Sequence, residues 1–411
     1  MDKFESALIT SLLTPLGNPN NKLCKWGIVA NFIGGSGVGK SARITEISNA
    51  LGMPCFTIFS ATKTPEHIGG FPANTEQGFM LRCALPQVLY AIDAQRAVIF
   101  LDEISTAPPA VQAALLSFVN ERTVGEYSLP VQTRIVMAMN PAEVAANGHD
   151  LEIPMANRIA HFKYTPPTIQ QWADYLIGNS TLNLPSIKNG EDLVKSRWLD
   201  QFPQVAGLAR TFMESNSGQY AVKVSDEEGK DSTEQHNKLY DQPDPSDPRA
   251  AGPWPSHRTW YWAMHGVVAA RCLDMPPTVE TDIVEALVGD GLAIEWATFV
   301  KKMDIPRPED VLTKGWDIPK RMDLVQVVLN ACSTYVVNIP DKTAQVGYAV
   351  ACWELLGGAI KSKGYADISV EPVQRLIHAG LDTTCPHKPL QDASEQVCTY
   401  LYDSGYMKYL P

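Results

Sequence analysis

The amino-acid sequence has no apolar run that approaches the roughly eighteen residues needed for a membrane-spanning helix. Its first residues also lack the basic-then-apolar pattern of a secretory signal peptide. The eight cysteines are scattered and form no C-x-x-C pair, so we expect buried, reduced thiols rather than a disulfide framework. These absences favour a cytoplasmic protein that does not insert into membranes.

Positive charge is scarce, because 34 Lys and Arg residues stand against 45 Asp and Glu residues, for a net charge of −11. A protein whose main partner is duplex nucleic acid usually carries a basic footprint, so this balance argues against such a partner. A narrow basic channel remains compatible with it, because net charge says nothing about distribution. With 411 residues, 45% of them hydrophobic, the chain is long enough for two or three packed domains.

Short apolar runs alternate with helical patterns between residues 26 and 165. The runs are rich in Ile, Val and Phe and occupy residues 27–33, 55–60, 98–101 and 134–139. Such runs predict a parallel sheet covered by helices on both faces, which is an α/β domain. We expect a short helix and a polar linker within residues 1–25 before this domain.

Helical spacing of apolar residues dominates the rest of the chain. We expect a helical region over residues 166–305 and a helical extension over residues 306–411. An acidic stretch with several prolines, at about residues 216–251, predicts an exposed loop or a partly disordered insertion. The predicted helices after this insertion cover residues 259–273, 280–302, 321–336, 344–361, 370–381 and 391–408.

A glycine-rich segment joins the first predicted strand to a predicted helix. Residues 34–41 read GGSGVGKS and match the phosphate-binding pattern G-x-x-x-x-G-K-[ST]. Glycines let backbone N–H groups point at phosphate oxygens, and the helix adds the positive end of its dipole. Lys40 would contact the β- and γ-phosphates, and the Ser41 hydroxyl would ligate Mg²⁺. The full set of predicted loop ligands is Gly35, Ser36, Gly37, Val38, Gly39, Lys40 and Ser41.

Two carboxylates follow the predicted strand at residues 98–101, about sixty residues after the glycine-rich segment. Asp102 would hold the magnesium ion, and Glu103 would act as general base on the attacking water. A strand that runs into an acidic turn is common by itself. The spacing between this acidic turn and the phosphate-binding segment makes the turn a candidate catalytic site.

These motifs and their spacing resemble the MoxR-like branch of the AAA+ ATPases, of the dynein-related type, over roughly residues 25–305. The strand at residues 134–139 ends in Asn140 and resembles the one that carries the sensor-1 residue. Arg158 lies in a segment that resembles the one carrying an arginine finger, a group supplied across a subunit boundary. Arg258 opens a predicted helix and resembles the sensor-2 arginine, which contacts nucleotide phosphate.

Two further segments resemble parts of this branch. Residues 66–85 fall where relatives carry an insertion whose loops face the central pore, and residues 123–130 resemble the β-hairpin before sensor 1. Phe71 and Phe79 in the first segment are candidates for contact with a partner, with local packing as the alternative. Beyond about residue 320 we find no resemblance.

The resemblance implies a P-loop AAA+ domain with three αβα layers, followed by an all-helical lid and a helical C-terminal extension. It implies ATP and Mg²⁺ as ligands, with Glu103, Asn140 and Arg158 as catalytic residues. It also implies a homo-oligomeric ring, with six subunits as the family expectation, that remodels a protein substrate or an adaptor such as a von Willebrand A domain protein. The alternative is a nucleic-acid-stimulated motor of the related restriction-type branch. No guanine-selective motif is visible, so ATP is the expected nucleotide.

Overall fold

The computed structural model describes residues 1–75, 78–82, 85–141, 149–177, 189–218, 220–225 and 231–406. The chain divides into two compact units. The first consists of Met1–Lys195 and Val222–Glu295, and the second of Ser196–Ala221 and the residues from Trp296 onward. The domain boundaries expected at residues 25, 165 and 305 stay predictions.

A five-stranded parallel sheet lies at the centre of the first unit. Its strands are β1 (Ala30–Ile33), β2 (Cys55–Phe59), β5 (Arg96–Asp102), β8 (Gln132–Met139) and β9 (Ala160–Lys163), in the order β2-β5-β8-β1-β9. The register pairs Ala30 with both Val136 and Ala160. All but the first residues of β5 and β8 are buried, as expected for central strands that are covered on both faces.

Three small hairpins accompany this sheet. They are β3 (Phe71–Thr75) with β4 (Gly78–Arg82), β6 (Thr123–Val124) with β7 (Tyr127–Ser128), and β10 (Tyr220–Ser225) with β11 (Asp231–His236). The second pair lies where residues 123–130 were expected to form a hairpin. Phe71 is exposed in β3, whereas the side chain of Phe79 in β4 lies outside what the structure describes.

Helices cover both faces of the sheet. On one face, a buried cluster joins the sheet residues Ile99, Leu101 and Ile135 to Val88 and Leu115 of the flanking helices. On the other face, the ring of Phe4 lies 4.7 Å from that of Phe32 in β1. The helices of this unit are α1 (Lys3–Leu12), α2 (Lys40–Ala50), α3 (Pro65–Gly69), α4 (Pro86–Ala94), α5 (Pro109–Glu121), α6 (Ile153–Ala156), α7 (Ile169–Leu176), α9 (His257–Cys272) and α10 (Pro277–Val288).

The second unit is helical. Helices α8 (Gly190–Ser215) and α11 (Asp290–Lys301) each contribute residues to both units. The remaining helices are α12 (Pro308–Lys314), α13 (Met322–Asn338), α14 (Lys342–Lys363), α15 (Ala366–His378) and α16 (Lys388–Asp403). Their core is built around Trp353 of α14, which is fully buried and donates a hydrogen bond to the carbonyl of Leu381. None of the helices in the described residues is both long and apolar enough to cross a membrane.

The predicted α/β domain and the helical C-terminal extension are confirmed, with several corrections. The sheet has a fifth strand, β9, which was not predicted because its four residues carry too little pattern. The helix predicted over residues 280–302 is two helices, because Gly289 adopts a φ of +93° between them. Helix α12 was not predicted.

The acidic insertion differs most from expectation, since it was predicted as an exposed loop within an all-helical lid. It contains the β10–β11 hairpin, and Leu239 and Ala250 after that hairpin are buried. The indole of Trp260 donates a hydrogen bond to the carbonyl of Leu239, 21 residues away. This tertiary contact joins the insertion to α9, and an apolar-poor sequence does not reveal it. Residues 219 and 226–230 of the predicted loop lie outside the described residues.

A buried arginine connects β8 to the start of α8. The side chain of Arg134 is fully buried, and its guanidinium donates to Glu191 and to the carbonyls of Leu12 and Gln132. Glu191 also accepts a hydrogen bond from Arg96 at 2.9 Å. Burial lowers the pKa of Arg134 to about 10, against the opposing effect of Glu191. Arg134 is therefore charged at neutral pH and depends on Glu191 for its counter-charge.

We predict that Glu191→Gln destabilises the first unit by on the order of 3 kcal/mol, because it leaves Arg134 buried without a counter-charge. Urea unfolding followed by tryptophan fluorescence at pH 7 measures this loss. The matched control is Asp192→Asn, because the Asp192 side chain is 79% exposed and lies 3.8 Å from Lys195. Such an exposed pair is worth at most about 1 kcal/mol. Equal losses in the two variants would contradict the prediction.

Candidate active site

The glycine-rich segment forms a loop between β1 and α2. Gly37 and Gly39 adopt left-handed backbone conformations, with φ of +73° and +86°, which side chains other than glycine rarely adopt. Gly34 is needed for a different reason, since a Cβ atom there would lie 2.8 Å from the Cβ of Tyr164. The loop therefore has the curled backbone and close packing that the motif requires.

Lys40 is the first residue of α2 and is buried beneath the loop. Its ammonium donates to the carbonyls of Gly34 and Gly35, both at 2.7 Å, and to Oδ1 of Asn140 at 3.0 Å. Burial lowers the pKa of Lys40, and the negative charge of Asp102 opposes this effect. The structure thus brings together Lys40 and Asn140, which are 100 residues apart in the chain.

Asp102 lies at the end of β5 and is mostly buried. Its Oδ2 accepts a hydrogen bond from the Ser41 hydroxyl at 2.7 Å, and its Oδ1 accepts one from the backbone N–H of Glu103 at 2.9 Å. A hydroxyl and a carboxylate beside a phosphate-binding loop are the hard oxygen donors that Mg²⁺ prefers. The pair fits the predicted magnesium site, in which phosphate and water supply the other ligands.

Glu103 follows Asp102 in a left-handed conformation, with φ of +57° and ψ of +43°. This conformation is uncommon for a residue with a side chain and often occurs at functional sites. The turn is held by the backbone carbonyl of Glu103, which accepts hydrogen bonds from the N–H and hydroxyl of Thr106. Glu103 is exposed, so its carboxylate is accessible to water.

Arg158 and Arg258 lie at the opposite edge of the sheet from the loop. Arg158 precedes β9, and β9 runs parallel to β1, whose far end leads into the loop. At roughly 3.3 Å per residue, β9 is about 10 Å long. The start of β9, which Arg158 precedes, is therefore about 10 Å from the level of the loop. Nη1 of Arg158 donates to the carbonyl of Pro154 on α6.

Arg258 belongs to the same edge. The segment before it is bonded to Asn157, whose side-chain amide donates to the carbonyl of Trp254 and whose Oδ1 accepts from the Ser256 hydroxyl. Partial burial lowers the pKa of Arg158, and the nearby positive charge of Arg258 lowers it further. The two arginines are therefore neighbours, although they lie 100 positions apart in the sequence.

Tyr164 is a residue of the site that the sequence did not indicate. Its ring lies against Gly34, and its hydroxyl donates to the carbonyl of Val38 at 3.1 Å. The N–H of Tyr164 donates to the carbonyl of Ile33, which extends the pairing of β9 with β1. No motif marks this tyrosine, and only the strand pairing brings it to the loop.

Arg43, one turn into α2, is a second residue that the sequence did not indicate. Its guanidinium donates to Asp2 and Glu5, and it lies 4.7 Å from the ring centroid of Phe4. These contacts attach α1 to the helix that follows the phosphate-binding loop. They give the N-terminal helix a direct structural connection to the site.

The sequence model of the AAA domain family, dynein-related subfamily, matches residues 31–158. No curated protein matches the chain. One of the matching solved structures is the crystal structure of a "putative ATPase" from Cytophaga hutchinsonii, with 11% sequence identity and a TM-score of 0.42. The match covers 74% of this chain and 94% of that one.

The parallel sheet, the curled loop and the convergence of Lys40, Ser41 and Asp102 define a P-loop nucleotide-binding domain. The match of residues 31–158 to the AAA domain model supports a P-loop ATPase of the AAA+ type. The matched range contains the loop, both carboxylates, Asn140 and Arg158.

We predict that Tyr164→Phe weakens binding of a nucleoside triphosphate by about fivefold, because it removes a hydrogen bond worth about 1 kcal/mol from the loop. Tyr164→Ala should weaken binding further, because the ring beneath Gly34 is also lost. Isothermal titration measures both affinities. Tyr240→Phe is the control, since Tyr240 is 48% exposed. Wild-type affinity in both Tyr164 variants would contradict the prediction.

Proposed function

We propose that this chain hydrolyses ATP with Mg²⁺ at sites formed between two copies of itself in a ring, and uses the energy to remodel a protein partner. The proposal follows the MoxR-like branch of the AAA+ ATPases, which the motifs resemble. The phosphate-binding loop, Asp102, Glu103 and Asn140 would come from one subunit. The neighbouring subunit would supply Arg158 and Arg258.

The observation that carries the proposal is the separation of these two groups within one subunit. The loop lies at the carboxyl edge of the sheet, whereas both arginines lie beside each other at the amino edge. Within one subunit the start of β9, which Arg158 precedes, is therefore separated from the level of the loop by about 10 Å, the length of the strand. A second copy, placed with its loop against this edge, would receive both guanidinium groups.

Within such a site each residue has a chemical role. The carboxylate of Glu103 takes a proton from water as the water oxygen attacks the γ-phosphorus, and the bond from that phosphorus to the β–γ bridging oxygen breaks. Lys40 neutralises charge on the β- and γ-phosphates. Mg²⁺, held by Ser41 and Asp102, supplies further neutralisation when it is bound. The products are ADP and phosphate.

The contact between Lys40 and Asn140 supports a sensing role for the asparagine. Phosphate oxygens would compete with the Gly34 and Gly35 carbonyls and with Oδ1 of Asn140 for the same ammonium. Nucleotide binding would therefore change the partners of Asn140 directly. Asn140 directly follows β8, a central strand of the sheet. A change in its partners would therefore couple the state of the nucleotide to the conformation of β8.

A protein partner is favoured over a nucleic acid by the charge of the chain. The net charge is −11, whereas a protein whose main partner is duplex nucleic acid usually carries a basic footprint. The family expectation of an adaptor with a von Willebrand A domain, and of six subunits, belongs to this proposal.

We expect Glu103→Gln to lower the rate of ATP hydrolysis by at least about 100-fold, because general-base catalysis contributes about 10²–10⁴. Binding of ATP should be retained, since the substitution leaves the loop and Lys40 unchanged. Phosphate release and equilibrium binding are the two measurements. Glu121→Gln, at an exposed residue at the end of α5, is the control. A Glu103→Gln variant that hydrolyses ATP at the wild-type rate would remove this residue from the mechanism.

A mixing experiment tests the shared site. Lys40→Ala should lose ATP binding. A double variant with Arg158→Ala and Arg258→Ala should bind ATP but hydrolyse it about 10³- to 10⁵-fold more slowly, as is typical when an arginine finger is lost. Mixed in equal amounts, the two proteins should regain activity, because one supplies the loop and the other the arginines. In random rings about one quarter of the interfaces would be complete.

Recovery of activity on mixing cannot arise if each subunit contains a complete site. A mixture that is no more active than the sum of its components, in an assembled ring, would therefore contradict the shared site. The control mixture combines Lys40→Ala with wild-type protein and shows whether subunits exchange.

A further inference from the structure

Asn157, which directly precedes Arg158, is only 7% exposed, and its side-chain amide is bonded at both ends. Its Nδ2 donates to the carbonyl of Trp254 at 3.2 Å, and its Oδ1 accepts from the Ser256 hydroxyl at 2.9 Å. An amide side chain has one donor end and one acceptor end, and here both ends contact the same short segment. These bonds attach the end of α6 to the residues that lead into α9.

Ser256 is the N-cap of α9, so its bond to Asn157 acts on the start of that helix. The Ser256 Oγ also accepts from the backbone N–H of Thr259 at 3.2 Å. The backbone N–H of Ser256 donates in turn to the Thr259 hydroxyl at 2.8 Å. Arg258 is the second residue of α9 and lies within this set of bonds. The position of its backbone is therefore tied to Asn157.

The acidic insertion contacts the same two segments. The ring of Tyr240 stacks on that of His257, the first residue of α9, with centroids 5.0 Å apart and 20° between the planes. Residues Pro248–Ala251 of the insertion lie against α6. Two independent sets of contacts therefore hold α6 and the start of α9 together.

The two segments carry charges of the same sign. Arg158 and Arg258 are close enough that the charge of Arg258 lowers the pKa of Arg158, and like charges at short range repel. Such a pair stays in place only if other contacts hold its backbone. Asn157 is uncharged, so it can hold the pair without competing with a phosphate for either guanidinium, as a carboxylate would.

We propose that Asn157 is a positioning residue for the reaction, which fixes Arg258 beside Arg158 so that both guanidinium groups meet the phosphate of the neighbouring copy as one preformed pair. The inference rests on the shared site proposed above and adds the contact that assembles its arginine half. Preformed geometry matters because a displacement of about 1 Å costs about 100-fold in rate. Asn157 acts only through the arginines, so its loss affects turnover and not ATP binding.

Asn157→Ala should lower kcat for ATP hydrolysis by about 10- to 100-fold, and by no more than Arg258→Ala does. Its affinity for ATP, measured by isothermal titration, should equal that of the wild type. In the Arg258→Ala background the same substitution should lower kcat by less than about twofold, because the group that it positions is already absent. A merely structural role would lower kcat by the same factor in both backgrounds. Phosphate release measures kcat.

Mixing of variants shows which half of the site is damaged. Asn157→Ala keeps an intact loop, so it should regain activity when it is mixed with Lys40→Ala, whose arginines are intact. Mixed with the Arg158→Ala, Arg258→Ala double variant it should not, because neither protein then supplies a well-placed pair. Recovery in the second mixture and not in the first would place the defect on the loop side and overturn the proposal.

Ser256→Ala removes the same link from the side of α9, and it serves as the second variant if Asn157→Ala does not assemble. It should also lower kcat, and the two substitutions together should cost little more than one, because they remove one shared contact. Asn330→Ala is the matched control in the second unit. Asn330 is 2% exposed, and its amide is also bonded at both ends, to the Gln326 carbonyl and to Arg375. This control should lower the melting temperature and leave kcat unchanged.

The outcomes separate this inference from the proposed function. If Asn157→Ala hydrolyses ATP at the wild-type rate while Arg258→Ala is impaired, positioning by Asn157 is wrong and the proposed function stands. Equal losses in the wild-type and Arg258→Ala backgrounds would also overturn the positioning role. If the wild type does not hydrolyse ATP, or if loss of both arginines leaves the rate unchanged, the proposed function itself is wrong.

Discussion

In a parallel sheet all strands end at the same edge, and this constraint assembles the candidate site. The ends of β1, β5 and β8 bring Lys40, Asp102 and Asn140 together from positions up to 100 residues apart. The same constraint places residues that precede a strand at the other edge. Arg158 precedes β9 and is therefore kept away from the loop of its own subunit. Under the proposed function, a second copy of the chain would supply this arginine.

The loop itself depends on contacts from outside its motif. Tyr164 supports Gly34 and bonds to Val38, while Arg43 attaches the next helix to α1. These residues hold in place a backbone whose glycines alone would leave it free to change conformation. The N-terminal helix therefore supports the helix after the loop, and the residue that follows β9 supports the loop itself, although neither carries a recognised motif.

Burial of a charge has a cost in this domain, and a partner within the chain offsets it. Arg134 is fully buried, and Glu191 provides its counter-charge. This pairing joins β8 to the start of α8 and stabilises the fold of the first unit.

The sequence by itself determined the α/β class, four of the five sheet strands and the identity of the P-loop. These features are local, because contiguous residues encode a strand, a glycine-rich turn or the start of a helix. The fifth strand, the hairpin in the acidic insertion and the break at Gly289 were not predicted, since short or polar segments carry little periodicity. Only the tertiary structure decided that Tyr164 supports the loop, that Arg158 and Arg258 are neighbours, and that Trp172 lines the same cavity as Gly37–Gly39. Each of these depends on strand pairing and helix placement between distant parts of the chain, which no local pattern of residues encodes.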